Sequence, residues 1–159
     1  MEKKLQWLGV VVLASGACLA GLYGWIKAPP ESEEMRWVTS YAKGKVLAQS
    51  LQRPLMIDFT ADWCVACQKM DAEVFRHPRI RSRLESEFIV VKVDIDERTP
   101  VTQEAIQRFE VAGLPRVAFE TADGEFFREA SFEGGVGIEE FDRRLDQVLE
   151  AVDTEPADG

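Results

Sequence analysis

Cysteine is scarce, with three in 159 residues. That is too few for the disulfide framework that small secreted domains use in place of a large core. Histidine is scarcer still. His77 is alone, so one chain cannot assemble the four ligands of a structural zinc site. An excess of basic charge is missing too: 19 lysines and arginines face 28 acidic residues, for a net charge of −9. Glu2, Lys3, Lys4 and Lys27 give the first 27 residues a charge of +2, leaving −11 on the rest. Such a domain is poorly suited to nucleic acid or anionic headgroups. There is no internal repeat. What is present is an ordinary share of aliphatic and aromatic residues, and 159 residues suffice for one packed domain with a short appendage.

The appendage is N-terminal. Leu5 to Ile26 is 22 residues without a charge, and a helix of that length spans roughly 33 Å, about the thickness of a hydrocarbon core. Trp7 lies near one end and Tyr23 and Trp25 near the other, as interfacial aromatics do. Residues 1–27 therefore read as an uncleaved membrane anchor. Lys3 and Lys4 precede the span, and Glu31, Glu33 and Glu34 follow Lys27, which favours the domain outside. A cleaved signal peptide ending near Ala17 is a second reading. A lipoprotein signal, with Cys18 in Ser15-Gly16-Ala17-Cys18, is a third. All three place the domain outside the cytoplasm. Gly16, Ala20 and Gly24 recur four apart on one helical face and could let two spans pack as a weak dimer.

Residues 28–35, including Ala28-Pro29-Pro30-Glu31, read as a short, stiff acidic linker. The domain covers 36–152. Arg36 to Leu51 has a loose helical pattern with Trp37, Val38, Tyr41, Val46, Leu47 and Leu51 apolar, interrupted by Gly44. Pro54 to Thr60 reads as a buried strand. Cys64 to Phe75 reads as a helix with Val65, Met70 and Val74 inward; Pro78 breaks it, and a further turn or two runs to Leu84. Phe88 to Asp94 is a second strand, and Val101 to Phe109 a helix with Pro100 at its start. Arg116 to Glu120 is a third strand, and Ala122-Asp123-Gly124 turns the chain into a fourth, Glu125 to Phe132. Ile138 to Val152 is an amphipathic helix with Phe141, Leu145, Val148 and Leu149 on one face. Asp153 to Gly159 reads as a disordered tail. This order predicts an α/β fold: one mixed four-stranded sheet, its first two strands parallel and its last two a hairpin, with helices on both faces.

The chemistry lies in Cys64-Val65-Ala66-Cys67. Cys64 falls where a strand ends and a helix begins. Unpaired amides and the helix dipole favour negative charge there, and the thiolate is the nucleophilic form of cysteine. Cys67 lies one turn further on the same side, so the sulfurs can join with little movement. Cys64 is expected to be the exposed attacker and Cys67 the resolving thiol. Two inert buried thiols, or a zinc site shared between two chains, are the competing readings. A C-x-x-C opening a helix after a strand is the context of a redox pair. His77, before Pro78, reads as a helix-end surface residue.

Asp58-Phe59-Thr60-Ala61-Asp62-Trp63-Cys64-Val65-Ala66-Cys67 resembles the thioredoxin superfamily, and within it the C-terminal periplasmic domain of the thiol:disulfide interchange protein DsbD. The resemblance runs from about Pro54 to Leu149 and includes Gly113-Leu114-Pro115. It implies a thioredoxin-like fold, a redox disulfide Cys64–Cys67, and a cis-proline at Pro115 that presents the backbone of Leu114 to a substrate peptide. It also implies that Asp58 is a buried carboxylate able to exchange a proton with Cys67, and that Asp71 is an acidic neighbour of the pair. Trp63 would shape the docking surface. DsbD carries further membrane and periplasmic domains, whereas this chain has one predicted span, so its electron donor is expected to be another membrane protein.

These readings lead to an extracytoplasmic thiol:disulfide oxidoreductase, held in a bacterial inner membrane and facing the periplasm, using no cofactor and no metal. Val and Ala between the cysteines, with no histidine to stabilise a thiolate, favour a reductant or electron carrier. Its clients would be extracytoplasmic protein disulfides. The alternative is a thioredoxin-like binding or assembly factor, in cytochrome c maturation or as a chaperone, in which redox is secondary.

Overall fold

A computed structural model describes residues 34–154. The predicted membrane span, Cys18 and the stripe Gly16, Ala20, Gly24 lie outside the described residues. Among the described residues no helix is long and apolar enough to cross a membrane.

The elements are α1 (Tyr41–Leu51), β1 (Leu55–Thr60), α2 (Val65–Met70) continued by a π-helical turn (Asp71–Phe75), α3 (Pro78–Glu87), β2 (Ile89–Asp94), α4 (Pro100–Arg108), β3 (Arg116–Glu120), β4 (Phe132–Glu133) and α5 (Ile138–Thr154). They form one four-stranded sheet in the order β2-β1-β3-β4. β1 and β2 are parallel, and β3 is antiparallel to both β1 and β4. The expected mixed sheet is present.

Strand alternation divides the core in two. Met56, Val90, Val117 and Phe119 face a layer made by Met70, Val74 and Phe75, by Ile80 and Leu84 of α3, and by Phe141, Leu145 and Val148 of α5. Leu55, Ile57, Phe59, Val91, Val93 and Ala118 face Tyr41 and Ala48 of α1, with Ala105 and Phe109. Met35 joins the first core and is buried. Phe141 anchors that layer, with ring centroids 5.4 Å from Phe75 and 6.1 Å from Phe132. Each such pair contributes about 0.5–1.5 kcal/mol beyond burial.

The predicted first helix is corrected at its start. Arg36 to Ser40 is not helical. Val38 is extended and bridges Val91, its N–H donating to Val90 O at 2.9 Å and its carbonyl accepting from Lys92 N at 2.9 Å. The helix begins after Ser40, whose side chain caps it. Its buried face is Tyr41, Gly44 and Ala48, while Val46, Leu47 and Leu51 are exposed. Gly44 is the reason: a Cβ there would lie 2.4 Å from Val91 Cγ2. The glycine lets the backbone of α1 approach β2, and the helix turns its small side inward.

The fourth strand is also corrected. Glu125 to Phe132 is not a continuous strand; after Gly124, at φ +97°, one bridge joins Phe126 to Glu120. Phe127 N–H then donates to Phe119 O at 2.9 Å, and the chain turns. Ser131 replaces the next rung: its hydroxyl accepts from Phe119 N at 3.0 Å and donates to Phe127 O at 2.6 Å. Only Phe132 and Glu133 resume the ladder. At the far end, α5 runs two residues past the predicted boundary, so Asp153 and Thr154 are helical and not tail.

The start of β1 and the end of β3 form one pole of the sheet. There the buried Glu120 accepts from Tyr41 Oη at 2.8 Å and from Arg108 Nη2 at 2.7 Å. Arg108 also donates to Gly124 O. The opposite pole, after Thr60, holds the cysteines.

Candidate active site

Cys64 is the N-cap of α2, with φ −83° and ψ 90°, and its N–H donates to Ala61 O at 3.0 Å. Gln68 Nε2 donates to Asp62 O at 2.8 Å and ties the first turn to the preceding loop. Cys64 and Cys67 are joined by a disulfide, with Cα atoms 5.3 Å apart. Cys67 N–H points at Cys64 Sγ at 3.1 Å.

Cys64 is 5% exposed and Cys67 4%. The expected difference in exposure is therefore absent in the disulfide form. Ala61 packs with both cysteines, and Ile95 and Leu114 lie against the group. What distinguishes the two is position: Cys64 caps the helix and Cys67 is within it. Trp63 and Val65 stand beside them, 65% and 75% exposed. The inward placement that the sequence pattern gives Val65, with Met70 and Val74, is corrected. Five residues are about 140° out of phase at 100° per residue, so Val65 cannot share a face with the buried Met70.

Asp58 lies on β1 and is 3% exposed. Burial pushes its carboxyl up to about 7, Lys92 pulls it back down, and Asp71 pushes it further up. Lys92 Nζ is 3.9 Å from Asp58 Oδ2 and 3.0 Å from Asp71 Oδ1. The ammonium also sits 4.3 Å from the centre of the Trp37 ring. Asp71 Oδ2 in turn accepts from Arg76 Nε at 2.9 Å. A cavity of about 330 Å³ opens here, lined in part by Cys67, Asp71, Arg76 and Lys92. It brings solvent to the inner cysteine from the side of the paired charges.

The Leu114–Pro115 peptide bond is cis. Pro115 O accepts from Gly134 N at 2.8 Å, and Gly113 N–H donates to Glu133 Oε2 at 2.9 Å. Of the predicted residues, the fold therefore gathers Cys64, Cys67 and Leu114 around the disulfide, with Trp63 beside them. Asp58 and Asp71 are linked through Lys92. His77 lies at the N-cap of α3 and takes no part.

Sequence reasoning missed Lys92 and Glu133. Lys92 left a signal: it is the one charge inside the apolar run Phe88 to Val93, and a charge in a buried strand needs a partner. Glu133, whose carboxylate meets a loop twenty residues away, left none. Among the described residues, no group of three or more His, Cys, Asp or Glu side chains is placed to hold a metal ion.

A four-stranded mixed sheet, flanked by helices and carrying a disulfide at the N-terminus of the helix after β1, defines a class of dithiol–disulfide domains. Residues 36–122 match the family described as Thioredoxin-like. The chain belongs to the thioredoxin-like family. It is similar to a thioredoxin from Thermus thermophilus, at 32% identity over 72% of this chain and 87% of that one, with a TM-score of 0.62. The C-terminal domain of Neisseria meningitidis DsbD in its oxidised form shares the fold at 22% identity and a TM-score of 0.56, over 72% of this chain and 98% of that one. Among curated relatives, the thiol:disulfide interchange protein DsbD of Vibrio vulnificus (strain CMCP6) is 31% identical over 64% of this chain, and that of Klebsiella pneumoniae 28% over 89%. The chain spans only 17% and 25% of those two proteins' lengths.

Proposed function

We propose that this chain is a thiol:disulfide oxidoreductase that works as a membrane-anchored, extracytoplasmic reductant of protein disulfides. The observation that carries the reading is the Cys64–Cys67 disulfide at the start of α2, with the protonatable Asp58 buried on the adjoining strand. Similarity to DsbD supports it. The anchor is residues 1–27, in the inner membrane with the domain facing the periplasm, supported by the uncharged run Leu5–Ile26.

The cycle begins with the dithiol. Cys64 thiolate attacks one sulfur of a client disulfide. A mixed disulfide forms, and the other client sulfur leaves as a thiolate that takes a proton. Cys67 gives its proton to the Asp58 carboxylate, buried on the strand that leads into the site. Its thiolate attacks Cys64 Sγ, the second client sulfur departs, and Cys64–Cys67 closes. Two electrons pass from the pair to the client. Through the cycle the Cys67 amide is aimed at Cys64 Sγ, ready to donate to a thiolate there. Trp63, Leu114 and Pro115 form the docking surface, the backbone of Leu114 pairing with the client as an added strand. A dithiol protein in the membrane restores the pair.

Cys67→Ala should trap clients on Cys64 as mixed disulfides, identifiable by mass spectrometry, and Cys64→Ala should trap none. Equilibration with glutathione buffers tests direction: a potential near roughly −120 mV, that of a strong oxidant, would overturn the reductant role. A Cys64→Ala/Cys67→Ala chain that kept full cellular function would overturn the redox reading itself.

A further inference from the structure

Glu133 belongs to β4, at the rung opposite Arg116. Its side chain does not follow the ladder but reaches sideways to the loop before β3. Oε2 accepts the Gly113 N–H at 2.9 Å. The residue that follows β4, Gly134, donates its N–H to Pro115 O at 2.8 Å. These two bonds bracket Leu114, fastening the residue before it and the residue after it. Leu114 itself packs against Ala61, Cys64 and Cys67.

The fit is close. A Cβ on Gly113 would lie 2.7 Å from Glu133 Oε1, so the carboxylate occupies the space a side chain would need. The bond from Gly134 comes from a backbone N–H and depends on no side chain. The bond from Glu133 needs an acceptor on a side chain long enough to reach Gly113. An amide held by a carboxylate is a charge-assisted bond, stronger than its neutral counterpart.

We propose that Glu133 is a positioning residue for client docking: its carboxylate fixes Gly113 so that the Leu114 backbone stands ready beside the disulfide. The inference rests on the reading of Gly113-Leu114-Pro115 as the docking loop. It separates two kinds of reactant. A protein client must pair with the loop before its disulfide meets Cys64, whereas a small thiol needs only to reach the sulfur.

The test uses the full chain and three readouts: steady-state reduction of insulin as a protein disulfide, with dithiothreitol as the electron source that restores the dithiol, the rate at which dithiothreitol reduces Cys64–Cys67 without insulin, and hydrogen exchange at the Gly113 amide. Glu133→Ala should raise KM for insulin roughly three- to tenfold, the scale of one solvent-exposed hydrogen bond. Its kcat and its rate with dithiothreitol should stay within about twofold of wild type, and Gly113 exchange should accelerate. Glu133→Gln keeps an acceptor and should restore KM. Gly113→Ala pushes the carboxylate aside and should match Glu133→Ala, with the double variant no worse than either single. An unchanged KM in Glu133→Ala, or equal losses toward insulin and dithiothreitol, would overturn the inference. A wild-type chain that exchanges with neither reagent overturns the proposed activity instead, and the inference falls with it.

Discussion

Asp58 and Lys92 are partners in the parallel β1–β2 ladder, and Lys92 Nζ stands 3.9 Å from Asp58 Oδ2. The shared rung sends both side chains to the same face of the sheet. A buried carboxylate and its moderating cation are thus fixed relative to each other by backbone register. Asp71, brought in by the π turn, competes for the same ammonium at 3.0 Å. Three groups set one proton equilibrium.

The first prediction concerns stability and pH. Asp58 titrates near 7 in the folded domain, against an ordinary 3.8. Between those values the folded state holds a proton that the unfolded chain has lost, so stability falls as pH rises through that window. Below it both states are protonated; above it the charged carboxylate is buried and the full penalty applies. Asp58→Asn should remove this component, flattening the pH dependence by up to about 1.4 kcal/mol per pH unit between about pH 4 and 7. Denaturant unfolding of the oxidised protein across pH, wild type against variant, gives the difference.

Lys92→Met keeps the stem of the side chain and deletes the charge. Asp58 should then titrate higher, and the acidic limb of the pH profile for Cys67 attack on the mixed disulfide should move up in pH. Asp71→Asn removes a like charge and should move it down. Opposite displacements in the pH–rate profiles are the expected signature. Shifts of one sign in both variants would contradict the assignment of Lys92 and Asp71 as opposing influences.

At the other pole, Glu120 is enclosed by Tyr41 and Arg108. Glu120→Ala leaves the buried Tyr41 hydroxyl without its acceptor and Arg108 held only by Gly124 O, and should cost about 1–3 kcal/mol in unfolding free energy. Tyr41→Phe removes a single hydrogen bond to a charged group and should cost about 1.5–3 kcal/mol. Neither should alter the glutathione equilibrium of Cys64–Cys67. Thermal melts paired with that equilibrium measure both halves of the claim.

Gly44→Ala should destabilise by about 1–3 kcal/mol through overpacking, because the new methyl would meet Val91 Cγ2. Val91→Ala in the same chain makes room for it, so the double variant should lose less than the sum of the two singles. Urea midpoints of the four proteins complete that cycle.

The sheet was legible because its strands carry their own signal. Leu55 to Thr60 and Ile89 to Asp94 are short, apolar and β-branched, and each lies close to where periodicity put it. The cysteine pair was legible because C-x-x-C at a strand–helix junction is a local pattern. Long-range geometry was not. The apolar residues Val46, Leu47 and Leu51 suggested the wrong face for α1, since a close backbone approach at Gly44 outweighs their hydrophobicity. A hydroxyl acting as a surrogate rung at Ser131 cannot be read from alternation, and it shortened β4. Lys92 and Glu133 act on residues far from them in sequence, where spacing carries no information.

The π-helical turn from Asp71 to Phe75 has a bearing on what the chain can tolerate. A π turn holds one more residue than an α turn. Here the extra residue lets Asp71 reach Lys92 while Val74 and Phe75 both remain in the core. The turn therefore acts as a spacer that reconciles two angular demands on one helix. Deleting Ala72 would regularise the helix, yet turn Asp71 by about 100° relative to Phe75. Chain length, and not only side-chain identity, is part of how this site is specified.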